Sequence, residues 1–202
     1  LAAIFALVFG GLVVPTAAMA AGDDAVLSNQ KPVVGSQTQF RPGDRFDYEI
    51  LVGCSSTTSP GCIAAFLVDT LPAPLVLDPD VEHPVVASIG SDITFTTDEN
   101  GRESFRVDGK ETFGTGIGAG TGIAGGGSML VTVSVYVPTT TSGEYNGETI
   151  TNTATVDAAN APEVDSSADV TLAVTTTLAP ALKKTVAPSS TIPAVPGRAV
   201  DW

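Results

Sequence analysis

Met129-Leu130-Val131-Thr132-Val133-Ser134-Val135-Tyr136-Val137 decides the fold. Successive side chains of an extended strand point to opposite faces, so one face collects Val131, Val133, Val135 and Val137. The other collects Leu130, Thr132, Ser134 and Tyr136. That period of two describes a half-buried strand with its valines on a core. Working outward, similar β-rich runs appear at 46–52 (FDYEILV), 62–71 (CIAAFLVDTL), 85–89, 92–97, 103–108, 149–157 and 168–178. Helical periodicity is absent over any ten residues beyond the N-terminal segment. Short strands at this spacing predict an all-β chain, an immunoglobulin-like β-sandwich of Greek-key type, rich in Thr and Val.

Turn chemistry separates these runs. Arg41-Pro42-Gly43-Asp44 suits a type II turn, with proline setting φ at the second position and glycine accepting positive φ at the third. Leu71-Pro72-Ala73-Pro74 stops a strand, because proline has no N–H for the ladder. Asn100-Gly101 and Asn146-Gly147 are hairpin signals.

Composition excludes several functions. The 202 residues carry 22 Asp and Glu against 9 Lys and Arg, a formal charge of -13, with one His and two Cys. Nucleic-acid binding needs clustered Lys and Arg, so that partner is not expected. His/Cys metal sites and imidazole catalysis lack material. The acidic groups Asp78, Asp80, Glu82, Asp98, Glu99, Asp165 and Asp169 match no EF-hand spacing and read as solvated loops. His83 has no nucleophile motif around it and reads as a surface residue. No cofactor, no metal and no catalytic residue is expected.

Residues 1–14 are an uncharged apolar run, followed by Ala18-Met19-Ala20, the small-x-small pattern of a signal-peptidase site. The expectation is an N-terminally truncated signal peptide over 1–20, cleaved after Ala20, with Ala21 the neighbouring choice. A mature leader over 21–29 follows. The chain is then exported to an oxidising compartment, with no integral membrane segment in the mature fragment. Surface attachment would come through a region beyond Trp202.

Two stretches invite chemistry. Cys54 and Cys62 bracket Ser55-Ser56-Thr57-Thr58-Ser59-Pro60-Gly61, and a short turn-rich spacer in an exported chain predicts a disulfide pinning a hairpin tip. The glycine-rich run 114–127 fails as a phosphate loop, because Ser128 and Met129 follow where lysine is required. It is expected to be a flexible loop between strands.

Pro42-Gly43-Asp44-Arg45-Phe46-Asp47-Tyr48 is repeated as Pro196-Gly197-Arg198-Ala199-Val200-Asp201-Trp202, and each copy follows a lysine-bearing stretch. The expected organisation is a β-sandwich module over 30–180, then a linker and the start of a second module over 181–202.

Lys31 before that Pro-Gly turn, Val68-Asp69-Thr70-Leu71-Pro72 with Leu75, and Asn152-Thr153-Ala154-Thr155-Val156 occur in an order that resembles a known group. These are the repeated extracellular modules of unknown function in bacterial surface proteins, related to the β-sandwich stalk domains of fimbriae and adhesins. Composition rich in Ala, Gly and Asp suits an actinobacterial source. The resemblance implies an intramolecular isopeptide bond between Lys31 and Asn152, with Asp69 as the assisting acid. A desolvated Lys31 amine would attack the Asn152 amide, and a protonated Asp69 would polarise its carbonyl. The alternative has Lys31 solvated at the module entry, Asp69 capping a turn and Asn152 bonded to neighbouring backbone.

The expected function is a structural, stalk or adhesion repeat of a secreted or wall-associated bacterial surface protein, not an enzyme. Its expected partners are neighbouring modules of the same chain and a cell-wall or host-surface ligand. The alternatives are an extracellular binding module for carbohydrate or protein, and a non-catalytic domain of a larger secreted enzyme.

Overall fold

The structure is a computed structural model and describes residues 25–56, 60–114 and 120–174. The expected signal peptide, its cleavage at Ala20 and the second module over 181–202 lie outside the described residues.

In chain order the strands are β1 (Ala25–Gln30), β2 (Gln39–Phe40), β3 (Arg45–Ser56), β4 (Gly61–Ile63), β5 (Phe66–Thr70), β6 (Val76–Leu77) and β7 (Val85–Ala87). They continue as β8 (Ser91–Thr97), β9 (Glu103–Gly109), β10 (Glu111–Phe113), β11 (Gly120–Ala124), β12 (Ser128–Tyr136), β13 (Thr149–Ala158) and β14 (Ala161–Leu172). One sheet has the order β1-β3-β12-β6, with β7 also on β12; a six-stranded sheet has the order β2-β14-β13-β5-β9-β8. A small third sheet, β10-β11-β4, closes one end. The described chain is thus an all-β, multi-sheet sandwich.

The valine strand behaves as its alternation requires. Val131, Val133 and Val135 in β12, with Met129 before them and Val137 after, are wholly buried. Each contributes about 1.5–3 kcal/mol by leaving water. Opposite register positions on β3 supply Tyr48, Ile50 and Val52, also buried. The facing layer is Leu67 on β5, Phe105 and Val107 on β9, and Ile150, Ala154 and Val156 on β13. Small alanines beside bulky aromatics let the two inner faces interdigitate.

The turn at 41–44 takes the expected form: Gly43 has φ +96° and the Asp44 N–H donates to Arg41 O at 2.9 Å. Other expectations need correction. Residues 25–30 are not a leader; they form β1, antiparallel to β3 from Ala25↔Ser56 to Gln30↔Leu51, so the folded unit starts by residue 25. Of its inward positions only Ala25 and Leu27 are apolar, too few to announce a strand. The run 62–71 is two strands, broken at Ala64, whose φ is +51°. The last strand begins at Ala161 rather than 168 and ends at Leu172. Its polar outer face is held by side-chain bonds such as Thr151 to Asp169 and Thr155 to Asp165. The glycine run is only partly a loop, since Gly120–Ala124 is the central strand of the small sheet. Glycine is required there for close approach: a Cβ on Gly122, which has φ +150°, would sit 2.1 Å from Cys62 O.

Candidate functional site

Lys31 follows β1 directly and stays in the sheet. Pro32 O accepts from the Glu49 N–H at 3.1 Å and Val33 bridges to Tyr48, so this segment continues alongside β3. Asn29 and Lys31, two residues apart, share a face, as the strand period dictates. That face looks into the sandwich.

Asp69 and Asn152 come from the opposite sheet. In β5 the buried positions are Leu67 and Asp69, and in β13 they are Ile150, Asn152, Ala154, Val156 and Ala158. Asp69 pairs in register with Ala154, which places Asn152 on the diagonal, on the same face and within reach. The three residues thus converge from both sheets.

Their contacts are short. Lys31 Nζ lies 2.6 Å from Asp69 Oδ2, with both side chains fully buried. Asn152 Nδ2 donates to the same oxygen at 3.4 Å, and Asn152 is wholly buried. Among the described residues, Asp69 Oδ1 and Asn152 Oδ1 accept no hydrogen bond. Solvation of Lys31 at the module entry is therefore ruled out, and Asp69 is a core residue of a strand rather than a turn cap.

The electrostatics follow from burial. Desolvation pushes the Lys31 amine below its ordinary value, against the pull of Asp69. It pushes the Asp69 carboxyl up, against Lys31 and the Asn152 hydrogen bond. Both shifts favour the neutral pair, a free amine beside a carboxylic acid.

Two further residues shape the site that residue chemistry alone did not flag. Tyr48 places its ring 4.9 Å from Lys31 Nζ and meets Phe46 edge-on, with centroids 5.2 Å apart; Phe46 in turn stacks on Phe40 at 4.1 Å. The Tyr48 hydroxyl is buried without a hydrogen-bond partner among the described residues, and burial raises its pKa so that it stays a phenol. Asn29 Nδ2 donates to Ala154 O at 2.9 Å, tying β1 to β13 beside the site. The signal for both was positional. Tyr48 alternates with Phe46, Ile50 and Val52, and Asn29 with Leu27 and Lys31.

One difference from the expected chemistry concerns the amide. Its nitrogen, not its carbonyl oxygen, faces Asp69. A single carboxyl oxygen therefore stands between an amine nitrogen and an amide nitrogen. Such an oxygen can take a proton from one and deliver it to the other.

Cys54 and Cys62 form a disulfide with an S–S distance of 2.06 Å. It does not pin a hairpin tip. Cys54 belongs to β3 in the large sheet and Cys62 to β4 in the small one, so it ties one sheet to the other. His83 is exposed. No group of three or more His, Cys, Asp or Glu among the described residues is placed to hold a metal ion. No helix among them is long and apolar enough to cross a membrane.

No protein-family model and no curated protein matches the chain. Among solved structures it is similar to a variant of BcpA, the major pilin subunit of Bacillus cereus, at 14% identity and a TM-score of 0.48. That match covers 74% of this chain and 41% of the pilin. It is similar to a cohesin module from a Clostridium perfringens family 33 glycoside hydrolase at 14% identity and a TM-score of 0.41, over 75% of this chain and 98% of that one. The full-length major pilin SpaD from Corynebacterium diphtheriae matches at 16% identity and a TM-score of 0.41, over 71% of this chain and 34% of the pilin. The chain thus spans well under half the length of either pilin. At these scores the likeness is one of general strand arrangement.

Proposed function

We propose that this chain is a structural or adhesive repeat of an extracellular bacterial surface protein, a β-sandwich of immunoglobulin-like, Greek-key type, locked by an isopeptide bond between Lys31 and Asn152. The observation that carries this reading is the single Asp69 oxygen in contact with both the Lys31 amine and the Asn152 amide, in the buried core. An ordinary core gains little from such a trio, since burying an ion pair costs about as much as it returns.

The reaction balances without a co-reactant. The Lys31 amine lone pair attacks Asn152 Cγ, and a C–N bond forms. The Cγ–Nδ2 bond breaks, and the leaving nitrogen takes the proton released by the amine, passed through Asp69. One ammonia departs and no oxidant or reductant is consumed. Burial supplies the neutral amine that attack requires. The sandwich holds the reactants from opposite sheets, so folding itself provides the proximity.

A bond at this position would join the entry of the module to its penultimate strand. That suits a load-bearing segment between neighbouring modules. The cross-sheet disulfide supports an oxidising, extracellular setting.

Intact-mass measurement of the exported protein tests the bond. After allowance for signal removal and the disulfide, the mass should lie one ammonia below that of the sequence. Lys31→Ala, Asn152→Ala and Asp69→Ala should each show the uncondensed mass of the substituted chain. A wild-type protein at full sequence mass overturns the proposal.

A further inference from the structure

On one flank of the sandwich both sheets end without a neighbour among the described residues. β8 is the outermost strand of the six-stranded sheet and pairs only with β9. β6 and β7 lie outermost on the other sheet and pair only with β12. Between these rims runs an open groove of about 330 Å³, with Leu77, Pro79, Val81 and Pro84 on one wall and Phe95 and Thr97 on the other.

Edge strands are ordinarily blunted by charge, proline or a bulge, because their free N–H and C=O groups recruit other strands. The second half of β8, Thr94-Phe95-Thr96-Thr97, carries none of these and is exposed throughout. Phe95 is 52% exposed and Val81, across the groove, 37%. An aromatic ring and a branched aliphatic left in water beside a free strand edge form a surface built for a strand with alternate apolar side chains.

Charge narrows the occupant. The loops flanking the groove carry Asp78, Asp80, Glu82, Asp98 and Glu99, and Glu103 opens β9 beside them. Their nearby cations are already engaged: Arg45 pairs with Asp78 and Asp80, and Arg102 with Asp98. The rim is net negative. A second copy of this chain, itself at -13, would meet repulsion there.

We propose that β8 and this groove bind an extended, basic polypeptide strand of a partner protein. The strand adds to β8 through its main chain, lays alternate apolar side chains over Phe95 and Val81, and sets Lys or Arg against Glu82 and Glu99. This interaction is independent of the isopeptide bond, which lies inside the sandwich.

The probe is a capped peptide of alternating lysine and valine, added to the folded protein, with amide hydrogen exchange and titration calorimetry as readouts. Exchange at Thr94–Thr97 should slow about tenfold or more on saturation, and affinity should weaken with salt. A glutamate–valine peptide should not bind. Phe95→Lys, a change at an exposed position, should cut affinity about tenfold with the melting temperature unchanged, since edge lysines block strand addition. Absence of binding, protection elsewhere than β8, equal binding of the glutamate peptide, or an unaffected Phe95→Lys variant would each overturn the proposal.

Discussion

Asn152→Ala deprives Lys31 of the carbon it would attack and leaves both sheets in place, so it isolates the mechanical effect of the bond. In the linked molecule, tension entering at Ala25 and leaving at Val174 passes from Lys31 directly to Asn152. Only about 30 residues, 25–31 and 152–174, can then be drawn out, which at about 3.3–3.6 Å per residue gives roughly 100 Å. Without the link all of the roughly 150 residues extend except the few closed off by the Cys54–Cys62 disulfide, to about 500 Å in total before the folded end-to-end distance is subtracted. Single-molecule pulling of the protein between two reference domains should therefore show a rupture step about 400 Å longer for Asn152→Ala than for the wild type. Heat should register the same constraint. A crosslink closing a loop of somewhat over 100 residues stabilises by about 5 kcal/mol through the unfolded chain. For a domain of this size that corresponds to a melting temperature lowered by about 10–20 °C in the variant. The length carries the argument, because it does not depend on how well alanine packs at position 152. Equal rupture lengths for the two proteins would refute the load path and, with it, the bond.

Other expectations follow from particular contacts. The disulfide spans a sequence separation of 8 inside the bypassed loop and already bridges 5.9 Å between its Cα atoms, so reduction should lengthen the Asn152→Ala rupture step by about 20 Å and leave the wild-type step unchanged. Lys31→Met removes the charge that opposes the upward shift of Asp69, whose ordinary value is 3.8. Above that pH the unfolded chain loses the proton that the folded core retains, so stability should fall as pH rises from about 3.8 toward the raised folded value. Melting curves of Lys31→Met should show this slope and Lys31→Met/Asp69→Asn should lose it; equal slopes would refute the assignment. Gly122→Ala forces a methyl to within 2.1 Å of Cys62 O and should cost about 1–3 kcal/mol in chemical denaturation. Gly35→Ala, where nothing lies within 4 Å of the added atom, should cost less.

The strands that could be seen in the sequence are those whose inner face is continuous. β12 and β3 declare themselves because every second residue is apolar and buried. β1 does not, since Asn29 and Lys31 occupy inward positions that a hydropathy pattern assigns to water. The buried trio is implied by the resemblance to surface-protein modules, because residue types along a chain carry neither burial nor distance. Register supplies what was missing, because the pairing of Asp69 with Ala154 fixes how near Asn152 can come. The small sheet was hidden for another reason. Gly61, Gly109 and Gly122 allow backbones to approach closely, and a glycine-rich stretch carries no side-chain pattern from which a strand could be read. The flank groove arises from strand order across two sheets, which local sequence does not encode.

Lys31 and Asn152 also differ in when they appear. A chain that leaves its exporter N-terminus first presents the lysine early and the asparagine about 120 residues later. The amine must then wait in a core that is incomplete until β13 docks. On the proposed chemistry the bond works as a seal on a finished module: a truncated or stalled chain cannot close it. The mass of the exported protein would thus record whether each copy completed its fold.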